Sequence, residues 1–272
     1  MIDKILWPVI SLGGMGLIFG AGLAFAYKKF GVATDPKVDA VREVLPGANC
    51  GGCGYAGCDG FAAAVASGKA APDGCPVGGA PVAEKVADIL GVDGILVQPK
   101  VAKVLCQGDS ERAISKYNYS GIGDCVAAAM LSEGPKGCRY GCMGLGSCVK
   151  ACPFDAIHVN EKGIAFVDEE KCTGCGLCVK ACPRHLITLW PVDKSVTVLC
   201  MNQDKGVEVR KVCKVGCIGC RICEKQCPTQ AITVENNLAR IDPQLCTECG
   251  ICVTKCPMKT IKGEKKQERE VV

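Results

Sequence analysis

Three short runs of the chain share one cysteine spacing, C-x-x-C-x-x-C-x-x-x-C-P: Cys172, Cys175, Cys178 and Cys182; Cys217, Cys220, Cys223 and Cys227; Cys246, Cys249, Cys252 and Cys256. A loop with this spacing wraps a [4Fe-4S] cubane: the first three thiolates hold three of its irons, and the fourth reaches to the neighbouring cubane. By that crossing, Cys217, Cys220 and Cys223 go with Cys256, and Cys246, Cys249 and Cys252 with Cys227. Zinc also binds CxxC pairs, but zinc ribbons set two such pairs across a knuckle-sized gap and do not end in CxxxCP. The 24 cysteines in 272 residues would suggest a disulfide framework in a short secreted chain. Their regular spacing argues instead for metal, and free thiolates need a reducing compartment. With aromatics at 5 % of the chain, conventional core material is thin, so the clusters are expected to cross-link the fold and their loss to unfold much of it. A net charge of +4 is too mild to argue for nucleic acid.

The carboxyl-terminal half is an internal repeat. CPFDAIHVNEKGIAFVDEEKCTGCGLCVKACP, from Cys152, lies over CPTQAITVENNLARIDPQLCTECGICVTKCP, from Cys227, at offsets of 75 and 74 residues. Each copy reads as a cysteine loop, a strand, a turn (NEKG or ENNL), a strand and a second cysteine loop. That is the plan of a two-cluster bacterial ferredoxin, which 138–188 and 213–262 each resemble. The first module departs from the pattern: its leading run, Cys138, Cys142, Cys148 and Cys152, has gaps of three and five where the signature has two and two. The crossing rule gives Cys152 to Cys172, Cys175 and Cys178, and leaves Cys138, Cys142 and Cys148 to share a cluster with Cys182.

Upstream, NCGGCGYAGCDG carries Cys50, Cys53 and Cys58, with Cys75 as a distant fourth. Its glycines let the backbone fold tightly round a cubane and aim N–H groups at the sulfurs. Cys106, Cys125, Cys200 and Cys213 remain. Cys125 lies thirteen residues before Cys138 and Cys200 thirteen before Cys213, so the four flank the modules in a related way and are expected to hold a sixth cluster, the alternative being buried structural thiols. His158 and His185 stand alone and read as ordinary side chains, since a Rieske centre needs two histidines beside two cysteines.

The amino terminus, Ile5 to Tyr27, has no charge; its 23 residues span roughly 34 Å as a helix, enough for a bilayer. A cleaved signal peptide usually has a shorter apolar run, and export would carry the thiols into an oxidising space. Lys28 and Lys29 follow at once and put the carboxyl side in the cytoplasm. Gly13, Gly16, Gly20 and Gly22 would let a neighbouring membrane helix approach closely. The segments after the anchor suggest a helix in ATDPKVDAVREVLP, a helix in PVAEKVADILG and a strand in GILVQPKVAKVL, and the tail KGEKKQERE is charged and solvated.

One apolar helix, then NCGGCGYAGCDG with a later CPVGG, then YGCMGLGSCVKACPFDAI and two-cluster modules, resembles the B subunit of the Rnf complex over essentially the whole chain. The Cys50 group also resembles a domain of corrinoid iron–sulfur proteins, although nothing after it looks like a corrinoid site. The Rnf resemblance implies the iron–sulfur subunit of an ion-translocating ferredoxin:NAD+ oxidoreductase, taking electrons from soluble reduced ferredoxin and passing them to membrane subunits. The alternative is a membrane-tethered polyferredoxin of a hydrogenase or formate dehydrogenase, which would lack the Cys50 group. No GxGxxG between a strand and a helix suggests a nucleotide site, and no catalytic residue is expected.

The fold expected is α+β: a transmembrane anchor (1–28), a small [4Fe-4S] domain (29–95), a connecting segment (96–137), a first ferredoxin-like module (138–188), a second connector (189–212), a second module (213–262) and the tail (263–272). Six [4Fe-4S] clusters, and at least five, are expected on the 24 cysteines.

Overall fold

The computed structural model describes residues 2–30, 35–92 and 98–263. The start of the expected strand at 94–97 and the charged tail beyond residue 263 lie outside them.

Helix α1, Ile2–Phe30, carries apolar side chains on every face, and Trp7, Leu17, Ile18 and Phe19 are all open to the surroundings. A helix apolar all round is a membrane span or a buried core, and among the described residues the apolar span of this one is not buried. Its portion Val9–Phe30 is long and apolar enough to cross a bilayer, consistent with a single-pass membrane protein, and it ends on Lys28 and Lys29.

A three-helix unit follows. Helix α2, Pro36–Val44, starts where Asp35 caps it by accepting from the Lys37 N–H and Pro36 fixes the first turn. Helices α3, Gly57–Ala66, and α4, Gly79–Leu90, pack on it through Val41, Phe61, Val65 and Val86, with Cys53, Cys58 and Cys75 at the edge of this core. Gly91 ends α4 in the left-handed conformation that glycine adopts without cost.

The remainder is built twice. In the first copy, β2, Ile157–Val159, and β3, Ala165–Val167, form the expected hairpin, and β1, Lys100–Val104, pairs antiparallel with β4, Ile187–Pro191. In the second copy β6, Ile232–Glu235, and β7, Leu238–Ile241, form the hairpin across Asn236 and Asn237, both at positive φ as a two-residue turn requires. There β5, Thr197–Val198, pairs with β8, Ile261–Lys262. The pairs β1–β4 and β5–β8 are counterparts: Val104 faces Ile187 as Val198 faces Ile261, and each belongs to the same tripeptide, Val-Leu-Cys, at 104–106 and 198–200. The repeat therefore reaches upstream of the hairpins and includes Cys106 and Cys200.

Short helices follow the cysteine loops: α5, Cys125–Ala129; α6, Ser147–Lys150; α7, Leu177–Ala181; α9, Ile222–Lys225; α10, Ile251–Lys255. Helix α8, Gly206–Val212, leads into Cys213. The cores beneath are small and share their space with sulfur. Ile157, Ala165 and Ile187 pack with Cys148 and Cys178 in the first copy, and Ile232, Leu238 and Ile241 with Cys217, Cys223 and Cys252 in the second.

Candidate iron–sulfur sites

Four cavities, of about 330 to 420 Å3 of non-protein space partly open to solvent, are each lined by four thiols. Cys152, Cys172, Cys175 and Cys178 line one, and Cys217, Cys220, Cys223 and Cys256 another. In both, the crossing read from the sequence is the grouping that the chain makes. A third regular set surrounds Cys252, whose thiol burial pushes up to about 11, with Cys246, Cys249 and Cys227 near enough to add to the rise. In the three-helix unit, burial likewise raises the Cys75 thiol, and Cys53 and Cys58 add to it. The Gly52 N–H points at the Cys50 sulfur at 3.5 Å.

The other two cavities divide the remaining eight cysteines differently from the sequence reading. Cys125 lines a cavity with Cys142, Cys148 and Cys182, while Cys138 lines one with Cys106, Cys200 and Cys213. Cys125 and Cys138 have thus exchanged places. The cause lies in the repeat. At the 75-residue offset Cys138 falls on Cys213, Cys142 on Cys217, Cys148 on Cys223, and Leu145 on Cys220. The gap of five between Cys142 and Cys148 is the ordinary loop with its middle cysteine missing, and Cys125 stands in from a distant segment. Asp124 anchors it, capping α5 by accepting from Val126 and Ala127 N–H groups. The Ser147 hydroxyl donates to the other Asp124 oxygen at 2.8 Å and accepts the Cys125 N–H at 2.7 Å, which ties Cys125 beside Cys148.

The residues present fit [4Fe-4S] clusters on their chemistry. Burial, then neighbouring thiols, push Cys148 up to about 12, and burial holds Cys200 at about 12 against two N–H donors that favour its thiolate. Four thiolates in such a place would need positive charge among them, which the iron of a cluster would supply. Among the described residues no three His, Cys, Asp or Glu side chains close on one ion position. The sulfurs instead stand around cavities. N–H groups aim at them throughout: Ala102 at Cys172 (3.3 Å), Leu186 at Cys182 (3.4 Å), Thr260 at Cys256 (3.4 Å) and Glu248 at Cys246 (3.4 Å). Such donors stabilise a negative cluster and help set its potential.

Several polar residues outside the cysteine motifs serve these sites. Arg184 is half-buried beside Cys138 and Cys142, donating to the Cys138, Gly141 and Glu133 carbonyls. Burial lowers its pKa, while the thiols of Cys138, Cys142, Cys106 and Cys125 oppose that. Glu248 is 3 % exposed and accepts from the Ser195 and Val196 N–H groups, locking the loop between Cys246 and Cys249 to the strand β5 region. Neither occupies a position that cysteine spacing alone would flag. The amino-terminal group lies against the first copy: Gly52 and Cys53 share a cleft with Cys172 and Cys175, and a Cβ on Gly52 would sit 3.0 Å from the Cys175 carbonyl oxygen.

Comparison with known proteins agrees with this layout. A family model described as "Putative Fe-S cluster" matches residues 45–77, and models described as "4Fe-4S dicluster domain" match 139–189, 171–232 and 216–269. The chain is therefore an iron–sulfur protein with several cluster-type domains. The B subunit of the Na(+)-translocating ferredoxin:NAD(+) oxidoreductase complex of Acetobacterium woodii is 53 % identical over 91 % of this chain and 74 % of its own length. The B subunit of the proton-translocating ferredoxin:NAD(+) oxidoreductase complex of Clostridium ljungdahlii is 48 % identical over 90 % of this chain and 87 % of its own. The B subunit of the ion-translocating oxidoreductase complex of Methanosarcina acetivorans is 45 % identical over 91 % and 94 %. With identity this high over nearly the whole of the described architecture, the chain belongs to the family of B subunits of Rnf-type ion-translocating ferredoxin:NAD+ oxidoreductase complexes.

Proposed function

We propose that this chain is the membrane-anchored electron relay of such a complex. It takes electrons from soluble reduced ferredoxin and delivers them to partner subunits in the membrane, where NAD+ reduction and ion movement take place. The observation that carries the reading is the gathering of thiols in fours, around apolar cavities, with N–H donors aimed at sulfur. Six [4Fe-4S] clusters, one for each group of four among the 24 cysteines, would supply one-electron transfer. The protein's part is to hold the thiolates, shield them from water and balance their charge.

The anchor, the three-helix unit and the two repeats are the working divisions in this reading. Helix α1 keeps the relay beside its membrane partners, which raises their effective concentration, and the basic pair Lys28 and Lys29 at its end supports a cytoplasmic side for the cysteine-rich part. A trace of ferredoxin, kept reduced by an excess of an artificial electron donor and added anaerobically with NAD+ to the purified, detergent-held full chain, tests the proposal. Loss of the visible iron–sulfur absorbance without formation of NADH is the expected result. No reduction by ferredoxin, or NADH formed by this chain alone, would overturn it.

A further inference from the structure

The two repeats meet at a site that neither could build alone. Cys106 and Cys200 each follow a Val-Leu end of the outer strand, held alike: Leu105 N–H donates to Leu186 O and Leu199 N–H to Thr260 O, at 2.7 and 3.0 Å. Cys138 and Cys213 each lie four residues before the first thiol of a ferredoxin loop. Even the contacts to sulfur repeat, with Cys142 N–H 3.4 Å from the Cys106 sulfur and Cys217 N–H 3.3 Å from that of Cys200. Each copy thus supplies an equivalent pair of thiols to one cavity.

Backbone bonds fix this joint. Lys214 N–H donates to Arg112 O and Ile114 N–H to Val212 O, on either side of Cys213, and Arg139 pairs with Asp204 at 2.8 Å. The symmetry breaks at one position. Where the first copy has Gly108, two residues after Cys106, the second has Asn202, two after Cys200 and 1 % exposed. Asn202 Oδ1 accepts the Asp204 N–H at 2.7 Å, which settles the amide's orientation and turns Nδ2 onto the Cys138 sulfur at 3.3 Å. A buried side-chain donor is thus aimed across the joint, from one repeat at the other's thiol.

We propose that Cys106, Cys138, Cys200 and Cys213 hold one [4Fe-4S] cluster shared between the two repeats, and that Asn202 is a positioning residue that raises its reduction potential by donating to the Cys138 sulfur. The proposal rests on the multi-cluster reading above and adds to it an inter-repeat site that ferredoxin spacing does not describe. An N–H donor to a ligating sulfur favours the more negative, reduced state of a cluster. Removing it therefore shifts that cluster's midpoint downward, and replacing it with an anion shifts it further.

The test uses the anaerobically prepared full chain. EPR-monitored redox titration of Asn202→Leu and Asn202→Asp is expected to move one cluster's midpoint to more negative potential, further for Asp, with iron per chain unchanged. If no midpoint moves in either variant, Asn202 does not face a cluster and the proposal fails. Iron analysis of the double variant Cys106→Ala, Cys200→Ala is the second arm, with a loss of about four iron atoms per chain expected. Wild-type iron near twenty per chain, unchanged in the double variant, removes the shared site but leaves the other five groups standing. A wild-type chain free of iron would sink the multi-cluster reading itself. Should the double variant fail to fold, the Asn202 titration decides.

Discussion

Removing Cys125 should cost the first repeat one cluster, and a single cysteine placed elsewhere should restore it. Cys142, Cys148 and Cys182 keep their places in the cavity when Cys125 becomes Ala, so three thiols remain where four are needed. The expected loss is about four of 24 iron atoms, or about one-sixth of the iron–sulfur absorbance. Leu145 occupies the position of the missing middle cysteine, and Leu145→Cys would create the spacing Cys-x-x-Cys-x-x-Cys-x-x-x-Cys-Pro from Cys142 through Cys152 to Pro153. The backbone is already shaped for it. Gly144 and Gly146 flank Leu145 at φ of +72° and +77°, as Gly219 and Arg221 flank Cys220 at +65° and +59°. No backbone rearrangement is therefore needed, and Leu145→Cys on the Cys125→Ala background should return iron per chain to the wild-type value within error. Acid-labile sulfide should rise in step. Iron unchanged in Cys125→Ala would show that Cys125 is not a ligand. Iron that stays low in the double variant while the other five clusters remain intact would refute the equivalence of the two loops.

Other predictions follow from particular contacts. A Cβ on Gly144 would overlap the Gly163 carbonyl, its carbon only 2.8 Å away, whereas one on Gly146 would meet nothing nearer than 3.9 Å. Both Ala variants bear roughly 1–2 kcal/mol for the left-handed backbone, but Gly144→Ala adds about 1–3 kcal/mol of overpacking. It should lose its visible absorbance in guanidinium faster than Gly146→Ala, and equal rates would contradict the steric argument. Glu248→Ala strips two N–H groups of a charged acceptor, one of them the buried Val196 N–H, at about 1.5–3 kcal/mol each. Glu248→Gln keeps an acceptor and should bleach at a rate much nearer wild type. In right-side-out vesicles the cysteine-rich part should resist added protease, and its digestion there would reverse the assigned topology.

The regular cysteine runs are legible in the sequence because a loop that wraps a cubane obeys a local constraint, and local constraints appear as spacing. The same holds for α1, α2 and α4, whose apolar runs and the Asp35-Pro36 start are short-range signals, and for the hairpins either side of NEKG and ENNL. The pairing of β1 with β4 and of β5 with β8 is not legible, since each joins residues more than sixty apart around a whole module. Spacing misplaces Cys125 and Cys138 for a related reason. Two separations of thirteen residues suggest a kinship between Cys125 and Cys200, but equal spacing along the chain is evidence only when the segments compared are equivalent. The structure shows Cys106 as the counterpart of Cys200 and Cys138 as that of Cys213, with Cys125 on a stretch that the second copy lacks. The signal that could have found this is the second Val-Leu-Cys at 198–200 together with Leu145 opposite Cys220. A thiol delivered from a distant segment leaves no spacing of its own, because what places Cys125 is tertiary: the Asp124 carboxylate and the Ser147 hydroxyl, brought together across more than twenty residues.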